Sequence, residues 1–580
     1  MPKTLEEYTK DELIEVIKNL KRRKKFGLVW EDKAEEVVRQ VKTELPVIEE
    51  VASRAIDKVK DAATNFIIEG DNYHSLSALN YTHTGKVDIV YIDPPYNTGN
   101  KDFIYEDRYV DRDDTFRHST WLSFMSKRLV LAKQLLKQTG ILFISIDENE
   151  YAHLKILCDQ LFGENNFVNS FVWVNNLKGR QISGLGAAGT HEYVLAYAKN
   201  ASSVSQFEGS AQFLKSIMPS TYKGFDYKTK TDEYGDYVIK NELYNSNSIF
   251  NESTRPNLVF DIYYNPKTGN VLCEDVSDSN LHDGYIKISP KQNNSGRAKY
   301  HAWRWSRNKV LNEKYNLEFA KTPSGYKVYT KVRTLDRTIV KDVITDINTS
   351  TGTQDIKDIF AKGTFDFPKP VDLIKFIISL NNDKEALVLD FFAGSGTTGH
   401  AVLELNEDDG GNRSFILCTN NENGIAENIT YERIKKVISG YGSSKHIPAN
   451  LRYFKTALVS KQQTDDQTRI ELVARSTDMI CLREDAFEKV IDTKLFRVFG
   501  NADHYAAIVF EPEAIVLLKD ALAKLKDDKP IHIYVFSLSN DTYESDFADL
   551  EREHELRPIP ESILEVYRRI HKAQGEELGL

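Results

Sequence analysis

The strongest constraint on this chain is a pair of turns that each follow directly on an apolar strand pattern. Residues 87–92, Val-Asp-Ile-Val-Tyr-Ile, run into Asp93-Pro94-Pro95-Tyr96. Residues 386–391 run into Phe392-Ala393-Gly394-Ser395-Gly396-Thr397-Thr398-Gly399. Around them strand and helix patterns alternate. Strands are expected at 66–71, 87–92, 141–146, 193–198, 386–391 and 414–419, and helices at 75–79, 121–137, 151–162, 370–380, 397–405 and 429–439. Such alternation implies an α/β fold: a mainly parallel, doubly wound, Rossmann-like sheet.

A chain of 580 residues is too long for one core. Residues 1–60 are expected to form an N-terminal helical arm. Thr9 and Glu12 fit a capping box for a helix over 9–24, which ends in a basic run at 21–25, and 33–60 reads as charged and largely helical. The α/β pattern holds over 61–200, stops, and returns over 355–453. The interruption, 201–354, is rich in Asn, Ser, Tyr and Lys with short β-like pieces, and reads as an inserted mixed α+β module. Residues 454–580 form a further α/β-like segment, with strands expected near 507–510 and 531–536. The alternation over 61–200 and 355–453 already supplies a catalytic core, so assembly is the expected role of this last segment.

The net charge of −10 hides a local reversal. Between Tyr285 and Lys341 fourteen Lys and Arg, among them Lys299, Arg304, Arg307, Lys309, Lys327, Lys331 and Arg333, face three acids, with tyrosines and tryptophans interleaved. A solvated basic face and a phosphate-backbone contact both fit this run. The four cysteines form no CxxC pair, which argues against a disulfide framework or structural zinc, and no metal is expected. There is no apolar run near 18 residues and no secretory h-region at the N-terminus, so a cytoplasmic protein without a membrane partner is expected.

The first turn is stiff, because two consecutive prolines fix φ and leave no amide hydrogen. It presents the Asp93 carboxylate, the Pro94 carbonyl and the Tyr96 ring at defined places. A carboxylate and a carbonyl can accept hydrogen bonds from an exocyclic amine and pull its nitrogen towards tetrahedral geometry, while an aromatic ring stacks on a base outside the duplex. A tight turn capping a strand is the plain structural alternative. The second turn brings backbone close to a ligand through its glycines. It contains GxGxxG literally, so an NAD-binding turn with Glu404 or Glu422 as the ribose acid competes with a methyl-donor site. A phosphate P-loop is excluded, because no Lys follows the glycines in the required place. A dehydrogenase has no use for the Asp-Pro-Pro-Tyr turn, whereas transfer of a methyl group to an amine needs both. The chain also lacks a Pro-Cys pair that would supply a covalent nucleophile for a cytosine ring carbon.

With both turns in this order and the basic insert between them, the sequence resembles the β-class amino-methyltransferases of DNA. Within that class it is similar to the modification subunits of Type III restriction–modification systems. The similarity runs through Leu20 to Glu31, Ile68 to Asn72, Asn97 to Asn100, Trp121-Leu122, Ser145 to Asp147, His191 to Tyr193 and Phe367 to Pro370. The resemblance implies adenine N6 as the target, since a Ser in place of Asp93 would suggest cytosine N4. It implies S-adenosylmethionine as cofactor. Asp71, Lys369, Pro370, Asp390, Phe391, Phe392, Ala393, Gly394, Ser395, Gly396, Thr397, Thr398 and Glu422 would surround that cofactor, and Asp93, Pro94, Pro95 and Tyr96 would be catalytic. It also implies double-stranded DNA as substrate, recognition through the insert, a homodimer and an ATP-dependent restriction subunit. A solitary methyltransferase, an NAD-dependent oxidoreductase and a DNA-binding subunit with a degenerate methyltransferase fold are the alternatives.

Overall fold

Asp93 and Gly394 lie far apart in the chain, and the strand order is what brings their turns together. The computed structural model describes Thr9 and residues 30–577, except 34, 42, 60–61, 100–103, 106–107, 111–113, 178–186, 224–227, 280–281, 294–298, 324, 334–336, 361–363, 443, 461, 463, 539–540 and 542. The helix expected over 9–24 and its basic run therefore lie outside the described residues, Thr9 excepted. Two units form: Met1–Phe207 with Lys341–Leu580, and Glu208–Val340.

In the first unit ten described strands share one sheet: β1 (Glu44–Glu50), β2 (Thr64–Glu69), β3 (Val87–Ile92), β4 (Leu136–Ile146), β5 (Phe167–Val174), β6 (His191–Ala198), β7 (Val343–Ile344), β8 (Leu387–Asp390), β9 (Ser414–Thr419) and β10 (Asn450–Ser460). Their order is β1-β10-β2-β9-β8-β3-β4-β6-β5-β7. From β10 across to β4 every pairing is parallel. The strands β8 and β9, from late in the chain, slot between β2 and β3. Leu389 is thereby paired with Val90, and the loops that follow β8 and β3 leave the same edge of the sheet side by side. In α/β sheets this carboxyl edge, at a switch in strand order, is where ligands bind. All six residues of β3 are buried, as a central strand covered on both faces requires. Helices α1 (Asn72–Thr82), α2 (Arg117–Leu135), α3 (Tyr151–Phe162), α4 (Thr349–Phe360), α5 (Val371–Ser379), α6 (Thr397–Asp409) and α7 (Tyr431–Ser439) complete the layers.

The stretch 33–60 is not largely helical. After a short helix, Glu36–Gln40, it forms β1, which pairs antiparallel with β10. Pro46 denies a helix its hydrogen bond, and Leu45 to Ile48 are buried. Both expected boundaries near 60 and 453 thus fall within one sheet, since β10 continues to Ser460. The C-terminal strands β11 (Glu488–Asp492), β12 (Phe496–Gly500), β13 (Tyr505–Val509), β14 (Ile531–Phe536) and β15 (His554–Ile559) form a second sheet in that order. Helices α8 (Thr477–Glu484) and α9 (Glu561–Glu577) flank it and pack on α1. Met479, Ile480, Tyr567 and Ile570 belong to the same core as Val47, Tyr73 and Leu79. The Tyr567 hydroxyl donates to the Pro46 carbonyl, and Arg483 donates to that of Tyr81 at 3.1 Å.

The second unit is mostly β. One sheet runs Lys230–Asp232, Gly235–Glu242, Gly325–Val332, Leu317–Thr322, and a smaller one Val271–Glu274, Asp261–Tyr264, Ile286–Ile288. Leu243, Phe260, Ile262, Trp303, Val310 and Val328 form its core. Its two ends lie side by side, because Glu208–Ser210 pairs with Arg337–Ile339. No helix among the described residues is long and apolar enough to cross a membrane.

Candidate active site

The turn after β3 is fixed from beneath. The buried Trp121 indole of α2 donates to the Pro95 carbonyl at 2.7 Å, and Asn97, at φ 57°, donates to the buried Glu150 carboxylate at 2.6 Å. Above, the Lys369 ammonium lies 3.1 Å from Asp93 Oδ1 and 3.3 Å from Glu192 Oε2. It also sits 4.8 Å from the centre of the Tyr96 ring, whose hydroxyl donates to Glu192 at 3.0 Å. Burial raises the Asp93 carboxyl above its ordinary range and Lys369 opposes the rise. For Lys369 burial works against the charge, but Asp93 and Glu192 outweigh it and hold the ammonium protonated. Asp93 Oδ1 is buried, and its neighbours within the protein are the Lys369 ammonium and, more weakly, Tyr96.

The glycine turn after β8 ties its side chains inward. Asp390 accepts from the Phe392 amide at 2.9 Å and the Thr398 hydroxyl at 2.5 Å, and burial pushes its carboxyl up to about 7. The fully buried Arg433 of α7 donates to Ser395 Oγ at 3.0 Å and Thr397 Oγ1 at 2.8 Å. Ala393 N donates to the Cys418 carbonyl at 3.1 Å, anchoring the turn to β9. With the side chains engaged inside, backbone is what the turn offers a ligand. Gly394 and Gly396 have φ of 49° and 79°, and a Cβ on Gly394 would stand 3.3 Å from the Phe365 ring. Phe391 is buried, and Asn72 donates to its carbonyl at 3.1 Å.

Asp71 follows β2 and caps α1, accepting from the Tyr73 amide at 2.7 Å. Arg128, buried and held by Glu35 at 2.6 Å, lies 3.6 Å from it. Glu422 is exposed and follows β9. Asp71, Glu422, the glycine turn and Asp93 therefore stand at the carboxyl ends of four adjacent strands. Lys369 and Pro370 precede α5 in a segment pressed on α4, where a Cβ on Gly352 would lie 2.1 Å from the Pro368 carbonyl oxygen. Asp147 accepts from the Asn149 amide and side chain at 2.9 and 2.8 Å, so it serves a turn. Two His–Glu–His groups occur among the described residues, His118-Glu150-His153 and Glu484-His504-His532. Arg117 donates to His118 at 3.2 Å and Arg557 to Glu484 at 3.0 Å, so a guanidinium already stands beside each group.

Several residues of the site have roles that the sequence does not give. Glu192 and Trp121 lie in stretches that resemble the methyltransferases, but their contacts with Lys369 and Tyr96 and with Pro95 emerge only from the fold. Arg433 and Gly352 are visible only once the strands are placed.

In the second unit the basic stretch is unevenly committed. Lys331 and Arg333 both bind Asp232 at 2.7 Å, and Arg333 first, then Lys331, holds that carboxyl far below its usual range. Arg307 pairs with Asp275, and Lys327 lies 3.6 Å from Glu242. Lys299, Arg304 and Lys309 are exposed, although Arg304 donates to the Tyr244 carbonyl at 3.2 Å and Lys309 lies 3.9 Å from Glu313.

A family model described as DNA methylase, of N6/N4 type, matches residues 87–432, which contain both turns and everything between them. The chain belongs to the DNA methylase family. This methylase is 35% identical over 380 residues to the Type II methyltransferase M.KpnI of Klebsiella pneumoniae, covering 64% of this chain and 84% of that protein. It is 33% identical over 391 residues to the Type III restriction-modification enzyme EcoPI Mod subunit of Escherichia phage P1, covering 62% of this chain. That match spans only 58% of the EcoPI subunit. The StyLTI Mod subunit of Salmonella typhimurium is 31% identical over 480 residues, 75% of this methylase and 68% of that protein. Membership removes the oxidoreductase alternative raised by GxGxxG.

Proposed function

We propose that this methylase transfers a methyl group from S-adenosylmethionine to the N6 amine of adenine in DNA. The observation that carries the reading is the pairing of β8 with β3, which sets the glycine turn beside Asp93-Pro94-Pro95-Tyr96. When bound, S-adenosylmethionine supplies the electrophilic methyl. The chain's residues do the rest. The backbone at Gly394, with Asp71 and Glu422 on the flanking strands and Lys369-Pro370 nearby, suits a nucleoside-bearing ligand that needs close approach and a carboxylate for its ribose. Asp93 and the Pro94 carbonyl accept from the adenine amine, turning its delocalised lone pair into a directed one. Tyr96, its hydroxyl pinned by Glu192, gives the flipped base a ring to stack on. The amine gains a methyl and gives up a proton, and Asp93 is the acceptor in place for it.

The insert Glu208–Val340 is proposed to read the DNA, with Lys299, Arg304 and Lys309 its readiest phosphate contacts. Arg307, Lys327, Lys331 and Arg333 would have to exchange present partners to join them. We also propose a homodimer working with an ATP-dependent restriction subunit; the relatives named as Mod subunits of Type III restriction-modification enzymes fit the restriction partner, while the Type II methyltransferase M.KpnI fits a methyltransferase outside a Type III system. A helicase-nuclease gene beside this one favours the former. Calorimetry tests the cofactor: S-adenosylmethionine binds and NAD does not. Binding of NAD alone would overturn the reading. Single-molecule sequencing of DNA from cells expressing the protein gives the modified base and its site together.

A further inference from the structure

Glu192 touches more of the catalytic turn than any role in strand packing requires. It stands near the start of β6, one strand beyond β4. Its Oε2 lies 3.3 Å from the Lys369 ammonium and accepts the Tyr96 hydroxyl at 3.0 Å. Its Oε1 accepts from Asn175 Nδ2 at 2.8 Å, just past the end of β5. The same ammonium lies 3.1 Å from Asp93 Oδ1. Two carboxylates therefore share one cation. Were Lys369 paired with Asp93 alone, the ammonium would hold that carboxylate tightly as its only counter-ion and weaken it as an acceptor for a substrate amine. A second carboxylate, 3.3 Å from the same ammonium, divides the attraction.

We propose that Glu192 is a positioning residue of the methyl-transfer site: it draws Lys369 partly off Asp93 and pins the Tyr96 hydroxyl, keeping Asp93 free to take the amine and its proton. This rests on the proposed methyl transfer. The groups facing the cluster fit the division of charge. Asp93, Tyr96 and Tyr91 come from β3 and its turn, Asp147 from the end of β4 and Asp390 from the end of β8, and Lys369 is the cation among them. After burial and Lys369, Glu192 is the next influence on Asp93, and it pushes the carboxyl upward.

The test is Glu192→Gln, which keeps an acceptor for Tyr96 and removes the charge. The pH dependence of kcat is measured for methyl transfer to DNA with S-adenosylmethionine. The acid limb should move to lower pH by roughly 1 unit or more, because a like charge beside Asp93 is gone. The plateau should fall roughly tenfold or more, a part of what a positioned base contributes. KM for cofactor and DNA should stay near wild type. Glu192→Ala, which also strips the Tyr96 acceptor, should be slower still. A wild-type acid limb at wild-type kcat in Glu192→Gln overturns the proposal. If circular dichroism shows that variant misfolded, Asn175→Ala serves instead: it loosens Glu192 from outside the catalytic turn and should lower kcat at preserved KM, and an unchanged kcat overturns the proposal. Wild-type protein that binds S-adenosylmethionine yet methylates no DNA would defeat the underlying function instead.

Discussion

Asp93 and Asp390 end neighbouring strands, and burial raises both carboxyls, but their partners separate their tasks. Asp93 faces an ammonium that it shares with Glu192, whereas Asp390 spends both oxygens on its own turn. Asp93→Asn should therefore lower methyl transfer by about 10²–10⁴-fold, the range of a lost positioned base, while calorimetry still shows S-adenosylmethionine binding. Near-normal turnover would refute the assignment. Tyr96→Ala should weaken capture of the flipped base by about 1–3 kcal/mol, read as DNA affinity on a substrate with an unpaired target. Asp390 makes a prediction about pH. Its folded pKa of about 7 lies above that of an unfolded Asp, so between about pH 4 and 7 the folded state holds the proton that the unfolded state releases. Its contribution to stability is greatest below that window and declines as pH rises through it. Asp390→Asn should flatten the fall in melting temperature from pH 5 to pH 8, and an unchanged slope would show the proton to be elsewhere. Asp93, Tyr96 and Gly394 were legible in the sequence because each sits in a short contiguous motif. The roles of Glu192 and Arg433 were not, because their partners arrive from distant segments and no local spacing announces them.

The elements that position the site are legible in the sequence where its pattern is regular. The stretches expected at 87–92, 151–162 and 414–419 are β3, α3 and β9. Elements with a weaker pattern are hidden for physical reasons. β1 hides among charges on either side of Leu45 to Ile48, and β5 alternates weakly, with Phe171 and Trp173 buried and its other residues half-exposed. Least visible of all was Gly352 on α4. There the helix rides directly on the Pro368–Lys369 backbone, which cannot yield as a side chain tip can. Gly352→Ala should shift Lys369 and reduce methyl transfer by at least about tenfold, equivalent to about 1.4 kcal/mol of transition-state stabilisation. Cofactor binding and kinetics measured together check this: wild-type kcat in a folded variant would mean that the α4 contact does not set the position of Lys369.

At the scale of the molecule, the α/β fold and the presence of an insert could be read from the sequence, but the joins could not. A composition shift near 201 marks a change of environment, whereas the paired ends at Glu208 and Ile339 are a tertiary fact. Opposed residues in such a pair are about 4.5–5.5 Å apart, so a short glycine linker can replace most of the insert. The shortened protein should still bind S-adenosylmethionine and lose site-specific DNA binding in a mobility-shift assay. Retained specificity would place recognition outside the insert. We propose an assembly role for the C-terminal segment. Its helices α8 and α9 nevertheless share a core with α1 and β1, so a chain ending at Ser460 should lose the catalytic fold, with circular dichroism and solubility as the readout. The most direct test of the whole account is nucleoside mass spectrometry of DNA incubated with purified protein and methyl-labelled S-adenosylmethionine. The prediction is labelled N6-methyladenine with the wild type and at least about a hundredfold less of it with Asp93→Asn; labelled N4-methylcytosine, or no labelled base from a protein that binds the cofactor, would contradict it.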